Sequence, residues 1–302
     1  MERLDKYLSK KLNISREKAK QIIEKGYVTV ENENENKIKP NLKISEDQKI
    51  EIDPKYIEVM KENKKEEIPN EVLDSVKIIY EDEYIYIIDK PAGIITESKT
   101  SKQNTLVDIL RKKGFILSKA EEKNRDGIVH RLDKDTSGAL IITKTKEAND
   151  EFLKLFKDRK IKKIYRCIVK GKPVKNVAYI EMPIKRDEKN RTKMKLDLSG
   201  KPAKSKFEVL KRYEDLSDLR VEIFTGRTHQ IRVHMAGINH PVLGDDKYGV
   251  GRNKYGIKRQ MLHSEYLEFV HPFTGENIKV KCELPEDYKR LLEELEKEDE
   301  NK

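Results

Sequence analysis

Apolar positions along this chain follow two periods, and each switch of period marks an element. Leu4, Leu8 and Leu12 stand four apart, one face of a short helix. Ser15 then supplies an N-cap for a second helix with Ala19, Ile22 and Ile23 inside and Gly26 as its stop. Val28 and Val30 alternate as a strand, and Ile44, Ile50 and Ile52 add strand positions around the turn Ser45-Glu-Asp47. Residues 54–75 lose the pattern: they are charged and bracketed by Pro54 and Pro69, so they read as a linker.

Beyond it, Lys77-Ile-Ile-Tyr80 and Tyr84-Ile-Tyr-Ile-Ile88 read as paired strands, the second ended by Asp89-Lys-Pro-Ala-Gly93. A short helix over 105–113 turns Leu106, Ile109 and Leu110 inward. Gly127-Ile-Val-His-Arg-Leu-Asp-Lys-Asp-Thr-Ser-Gly138 is a polar turn feeding Ala139-Leu-Ile-Ile-Thr143, a continuous apolar run of the buried-strand kind. An amphipathic helix follows over 146–160, and strands are expected at 164–169, 177–184, 206–212, 219–224, 261–270 and 278–282. Among them 225–237 reads as a turn and a helix, with Thr228, Ile231 and Met235 on one face and Arg232 one turn beyond Thr228. A last helix after Pro285 buries Leu291, Leu292 and Leu295, and 296–302 is expected to be a frayed tail. Many strands with few interleaved helices predict an α+β catalytic domain over 76–295 with a large mixed, mostly antiparallel sheet. Residues 1–53 predict a small separate αβ domain, and no glycine-rich phosphate loop opens a helix.

Charge sharpens this picture once it is located. The net +10 gathers in patches: +4 over 1–25, +6 over 185–206 and +3 over 245–259. Collected cations are the footprint of a polyanion, because each one near a phosphate releases condensed counterions. Arg16, Lys18, Lys20 and Lys25 on the second helix, and Lys185, Arg186, Arg191 and Lys193 in the later loop, are the candidate RNA contacts. A lysine-rich surface that is merely solvated gives the same counts. The two cysteines, Cys167 and Cys282, have no paired spacing, which fits a reducing compartment. No apolar run approaches the roughly 20 residues of a membrane span, so a cytoplasmic protein is expected.

Three chemistries compete for the polar turn. A metal site would need converging ligands, but His229 and His234 lie about 140° apart around a helix, and the other four histidines have no ligand spacing. Asp135-Thr-Ser-Gly138 superficially matches the aspartic-protease signature, yet no second copy exists to share the proton. The third uses one ionised carboxylate, Asp133, oriented by a cation, Arg232, beside an aromatic, Tyr165, able to stack on a flat base. Taken residue by residue, a turn cap, a surface charge and a core tyrosine explain the same three positions.

Longer motifs carry a resemblance. Arg3-Leu-Asp-Lys-Tyr-Leu8, Ile14-Ser-Arg16 and Ile22-Ile-Glu-Lys-Gly-Tyr-Val-Thr-Val30 resemble the S-four RNA-binding module named after a small-subunit ribosomal protein. His130-Arg-Leu-Asp-Lys-Asp-Thr-Ser-Gly138, Lys163-Ile-Tyr-Arg-Cys-Ile-Val-Lys-Gly171 and Thr225-Gly-Arg-Thr-His-Gln-Ile-Arg-Val-His234 resemble, in order and spacing, the hallmark motifs of the RluA family of pseudouridine synthases. The resemblance implies the pseudouridine synthase fold, with Asp133 as catalytic aspartate, Tyr165 against the uracil and Arg232 as partner of Asp133. It also implies that Arg131 helps fill the space of an extruded base. It further implies an isomerase that needs no cofactor and no metal, working on RNA, with ribosomal RNA first and transfer RNA as the alternative; a monomer is expected. A non-catalytic RNA-binding factor on the same fold is the rival. Two departures stand out: Thr96-Glu97 where the family commonly has Val-His, and Cys167 where a small alanine is usual.

Overall fold

The structure is a computed structural model that describes all residues except 46, 58–66, 99, 100, 102, 121–124, 250, 252, 301 and 302. The chain divides into two compact units, Met1–Glu67 and Ile68–Lys302. In the first, strand β1 (Glu2–Arg3) leads into helices α1 (Leu4–Lys11) and α2 (Arg16–Glu24), with strands β2 (Val28–Val30), β3 (Lys43–Ile44) and β4 (Ile50–Ile52) after them. β1 pairs with β3 and β2 with β4, both antiparallel. The predicted periodicity is what packs: Leu4, Leu8, Ala19, Ile22, Ile23, Val28, Val30, Ile44 and Ile50 form one core. Ser15 caps α2 by accepting from Lys18 N.

The second unit begins inside the expected linker. Part of that linker, 58–66, lies outside the described residues, but its end is helix α3 (Asn70–Ser75), whose Val72 and Leu73 pack on the main core. Next come β5 (Lys77–Glu81), β6 (Ile85–Lys90), α4 (Leu106–Lys112), β7 (Ser137–Thr143), α5 (Lys146–Lys157), β8 (Lys162–Lys170) and β9 (Val177–Glu181). They are followed by β10 (Ile184–Arg186), β11 (Met194–Leu196), β12 (Lys204–Arg212), β13 (Leu216–Ile223), α6 (Gln230–Gly237), β14 (Leu262–Val270), β15 (Asn277–Lys281) and α7 (Glu286–Glu300). Nine strands form one sheet in the order β5-β6-β7-β14-β8-β13-β12-β9, with β15 also on β14. Its pairings are antiparallel except β7 with β14, so the sheet is mixed and mostly antiparallel as expected.

Two expectations fail for identifiable reasons. The run 177–184 is two strands, because Met182-Pro183 interrupts the ladder and Ile184 starts the separate hairpin β10–β11. The tail is not frayed up to Glu300: α7 continues, and Glu296 accepts from Tyr213 Oη at 2.8 Å and pairs with Lys211. Alternation decides which helix covers which face. Cys167 and Val169 face the core beneath α4 and α6, while Ile168 between them packs with Tyr288, Leu291 and Leu295 of α7.

The parallel pairing seats the polar turn. Ser137 and Gly138 stand opposite His263 and Ser264, and Gly138 has φ +111°. A Cβ there would meet the Ser264 backbone, its nitrogen at 2.6 Å. Gly138→Ala should therefore cost about 2 kcal/mol or more. Chemical denaturation measures this, and a stability equal to wild type would refute the close approach.

Candidate active site

The polar turn between α4 and β7 is held from three sides. Thr96 Oγ1 donates to Leu132 O at 2.7 Å, and Gly93 N donates to Lys134 O at 2.9 Å. Lys90 at the end of β6 is fully buried, and its ammonium donates to Pro91 O, Ile94 O and Lys134 O at 2.8–3.1 Å. Burial pushes that ammonium down to about 7, with Asp135 and then Asp133 opposing the shift. The Asp135 side chain makes no hydrogen bond among the described residues, and its carboxylate serves as the strongest counter-charge to Lys90. The turn is shaped by Thr136 N, which donates to Asp133 O, and by Ser137 Oγ, 2.9 Å from His263 Nδ1.

Asp133 emerges from this mount into a cavity of about 580 Å3 that also takes in Arg131, Tyr165, Phe224, His229 and Arg232. That volume suits a small-molecule site, in which roughly 300–1,000 Å3 is usual. The three residues singled out from the sequence therefore share one cavity. Arg232 Nη1 donates to Asp133 Oδ2 at 3.0 Å, across 99 residues of chain. Its other nitrogens, Nε and Nη2, donate to Asp245 at 2.7 and 2.8 Å. Asp245 is completely buried and also accepts from Lys247 N and Tyr248 N. Burial alone would raise its pKa, but hydrogen bonds and charge from Arg232 reverse the sign and leave it lowered. Burial opposes the Arg232 charge too, and Asp245 and Asp133 more than offset it. Asp245 thus fixes the guanidinium plane so that its third nitrogen points at Asp133.

Tyr165 is buried, and burial raises its phenol well above the ordinary value, so it stays protonated. His130 accepts from Ile141 N through Nε2 at 2.9 Å and stacks on Phe156. Burial and then Lys163 push it down to about 3, so it ties the turn to β7 as a neutral ring. Arg131 stands at the exposed edge and pairs at 3.0 Å with Glu97, one of the two departures noted above. Among the described residues no group of three histidines, cysteines or carboxylates could hold a metal ion.

The RNA-binding candidates fare differently. Arg16 pairs at 2.8 Å with Asp5, itself buried, so it serves the first unit's fold; Lys18 and Lys20 stand on α2, with Lys20 near Glu17, and Lys25 is the C-cap just past its end. Lys185 is paired with Glu188 and Asp197 inside the hairpin, and Arg186 donates to Arg191 O at 2.5 Å, while Arg191 is exposed and Lys193 half-buried. Besides Arg131 and Arg232, the cations that line the cavity are Arg125, Lys157, Arg159, Lys163 and Arg227. Lys157, Arg159 and Lys163 belong to one basic run, Lys157-Asp-Arg-Lys-Ile-Lys-Lys163, while Arg125 and Arg227 stand apart from it. Asp245 left only its place in His240-Pro-Val-Leu-Gly-Asp245 as a signal.

Residues 84–237 match the RNA pseudouridylate synthase family and residues 2–50 match the S4 domain. An uncharacterized RNA pseudouridine synthase of Aquifex aeolicus is 37% identical over 309 residues, covering 98% of this chain and 94% of its own. Ribosomal large subunit pseudouridine synthase D of Pseudomonas aeruginosa is 39% identical over 231 residues, covering 72% and 71%. The human RNA pseudouridylate synthase domain containing 4 has the same fold, with a TM-score of 0.59 at 22% identity, covering 75% of this chain and 95% of its own. The chain belongs to the RNA pseudouridylate synthase family, enzymes that isomerise uridine to pseudouridine in RNA. No helix among the described residues is long and apolar enough to cross a membrane.

Proposed function

We propose that this chain modifies specific uridines of large-subunit ribosomal RNA, with Asp133 as the reacting carboxylate, Arg232 pairing with it and orienting it, and Tyr165 against the uracil. The observation that carries the reading is the shared cavity in which Asp133, backed by Arg232 and Asp245, faces Tyr165. Relatives named for the large ribosomal subunit support the choice of RNA.

The reaction breaks the N1–C1′ bond, turns the uracil in place and joins C5 to C1′; the C5 proton is lost and N1 ends protonated, so composition is unchanged. Asp133 begins the sequence by attacking C1′ or by taking the C2′ proton, and both require its ionised form. The target base must first leave its stack, at a cost of a few kcal/mol. Contacts of Arg125, Lys157, Arg159 and Arg227 with backbone phosphates, together with the enclosed pocket, offset that cost.

The test is to map pseudouridines in total RNA with and without the gene. Loss of one or a few positions in large-subunit RNA is expected, whereas loss confined to transfer RNA would move the substrate, and no loss would refute the reading. The first unit supplies a second RNA-binding surface whose linkage raises effective concentration. Removing residues 1–53 should weaken RNA binding and flatten its salt dependence, by roughly 0.7–0.9 in log–log slope for each phosphate that is no longer neutralised. Unchanged affinity at physiological salt would refute that role.

A further inference from the structure

His229 lines the same cavity, and its surroundings fix which group it presents there. It precedes α6 with φ +56°, a left-handed conformation uncommon for a residue with a side chain, so its ring is held in place at a conformational cost. Tyr248 Oη accepts from Met194 N at 2.7 Å and lies 2.7 Å from His229 Nδ1. A phenol has one proton to give, and among the described residues Nδ1 is the acceptor within reach. The Tyr248 proton therefore goes to Nδ1, and the imidazole carries its own proton on Nε2. The Tyr248 ring is itself fixed, stacked beneath the Arg232 guanidinium at 5.2 Å. Burial lowers the His229 pKa, with Asp133 opposing, which favours this neutral ring.

Nε2 has no hydrogen-bond partner among the described residues and stands 3.9 Å from Asp133 Oδ2. A donor and an acceptor at that spacing are too far apart to bond each other, but one hydroxyl about 2.8 Å from each satisfies both. Its oxygen accepts from Nε2–H and its proton is donated to the carboxylate. We propose that His229 and Asp133 together read the 2′-hydroxyl of the target nucleotide, with Tyr248 as the positioning residue that sets the His229 tautomer. The assignment rests on the proposed function, in which Asp133 faces the ribose of an RNA uridine. The 2′-hydroxyl is the sugar group that both donates and accepts, and it is what separates RNA from DNA at one site.

The probes are two short RNAs with pseudouridine at the position found by mapping, one bearing a 2′-hydroxyl there and the other a 2′-hydrogen. Both carry product, so binding is read without turnover. The full wild-type chain should bind the hydroxyl form roughly ten- to a hundredfold more tightly. His229→Phe should cut that ratio at least about fivefold by weakening the hydroxyl form alone. His229→Gln, whose amide reaches toward the Nε2 position, should keep most of the ratio. Tyr248→Phe, which keeps the imidazole but removes its proton donor, should fall between them. Circular dichroism identifies any variant that fails to fold, and the remaining variants then decide. The proposal is overturned by a wild type indifferent to the hydroxyl, by an unchanged ratio in His229→Phe, or by equal weakening of both RNAs in every variant, which is the mark of a structural role. A wild type that forms no pseudouridine overturns the functional reading as well, and that failure is seen at the mapping stage.

Discussion

Asp133→Asn is expected to lower pseudouridine formation by roughly 10²–10⁴-fold or more while RNA binding and folding stay near wild type. The amide keeps the shape and still offers Arg232 an oxygen, and Arg232 remains clamped by two hydrogen bonds to Asp245. What is lost is the negative charge at the reacting position. Because C5 must shed its proton, release of tritium from 5-tritiated uridine in RNA measures the step directly. Asp135→Asn is the internal control, since it stands two residues on in the same turn. Its carboxylate opposes the effect of burial on Lys90 but has no hydrogen bond among the described residues, so the expected loss of rate is under about tenfold. Near-wild-type turnover in Asp133→Asn, or equal losses in the two variants, would remove Asp133 from the chemistry.

That contrast between two neighbouring carboxylates is not written in their local sequence. The helices and strands were legible wherever one residue period held a buried face, as in Leu4 and Leu8 or Ala19, Ile22 and Ile23. The continuous run Ala139-Leu-Ile-Ile142 was legible because β7 is buried on both faces. The break at Met182-Pro183 was missed because apolar alternation continues through it, although Pro183 signals an interruption; the ladder shows that the partner strand changes there. Asp133, Tyr165 and Arg232 were found through long motifs, and no spacing rule joins residues 99 apart. Asp245 was not found as a functional residue, because its value lies in burial against Arg232, which a sequence does not display. The angle of about 140° between His229 and His234 assumes that both are helical. His229 instead lies in the left-handed region before the helix, and that displacement puts its ring in the cavity. Several charges of the basic run 185–206 are balanced within their own hairpin, and the cavity itself is lined by Arg125, Arg227 and cations of a second run, 157–163, that the charge count did not single out.

Arg232→Met should be the most destabilising change in the site, at about 3–5 kcal/mol, besides abolishing activity. It removes both guanidinium bonds from Asp245 and leaves a completely buried carboxylate with only Lys247 N and Tyr248 N as donors. Arg232→Lys should recover little, because one ammonium cannot hold Asp245 at two points and still reach Asp133. Adding Asp245→Asn to Arg232→Met should restore much of the stability and none of the activity, since it removes the stranded charge without supplying a partner for Asp133. The pH dependence separates the two effects. In wild type the folded pKa of Asp245 lies below its ordinary 3.8, so its contribution is present above that value and is lost as pH falls through the lowered one. In Arg232→Met, burial without a cation raises the folded pKa, so the penalty is largest near neutrality and eases as acid protonates the carboxylate. Urea denaturation of both proteins at pH 7 and pH 5 should therefore show the gap between them narrowing in acid. A gap that stays constant would mean that the cost is lost packing, with Asp245 playing no electrostatic part in holding the arginine that faces Asp133.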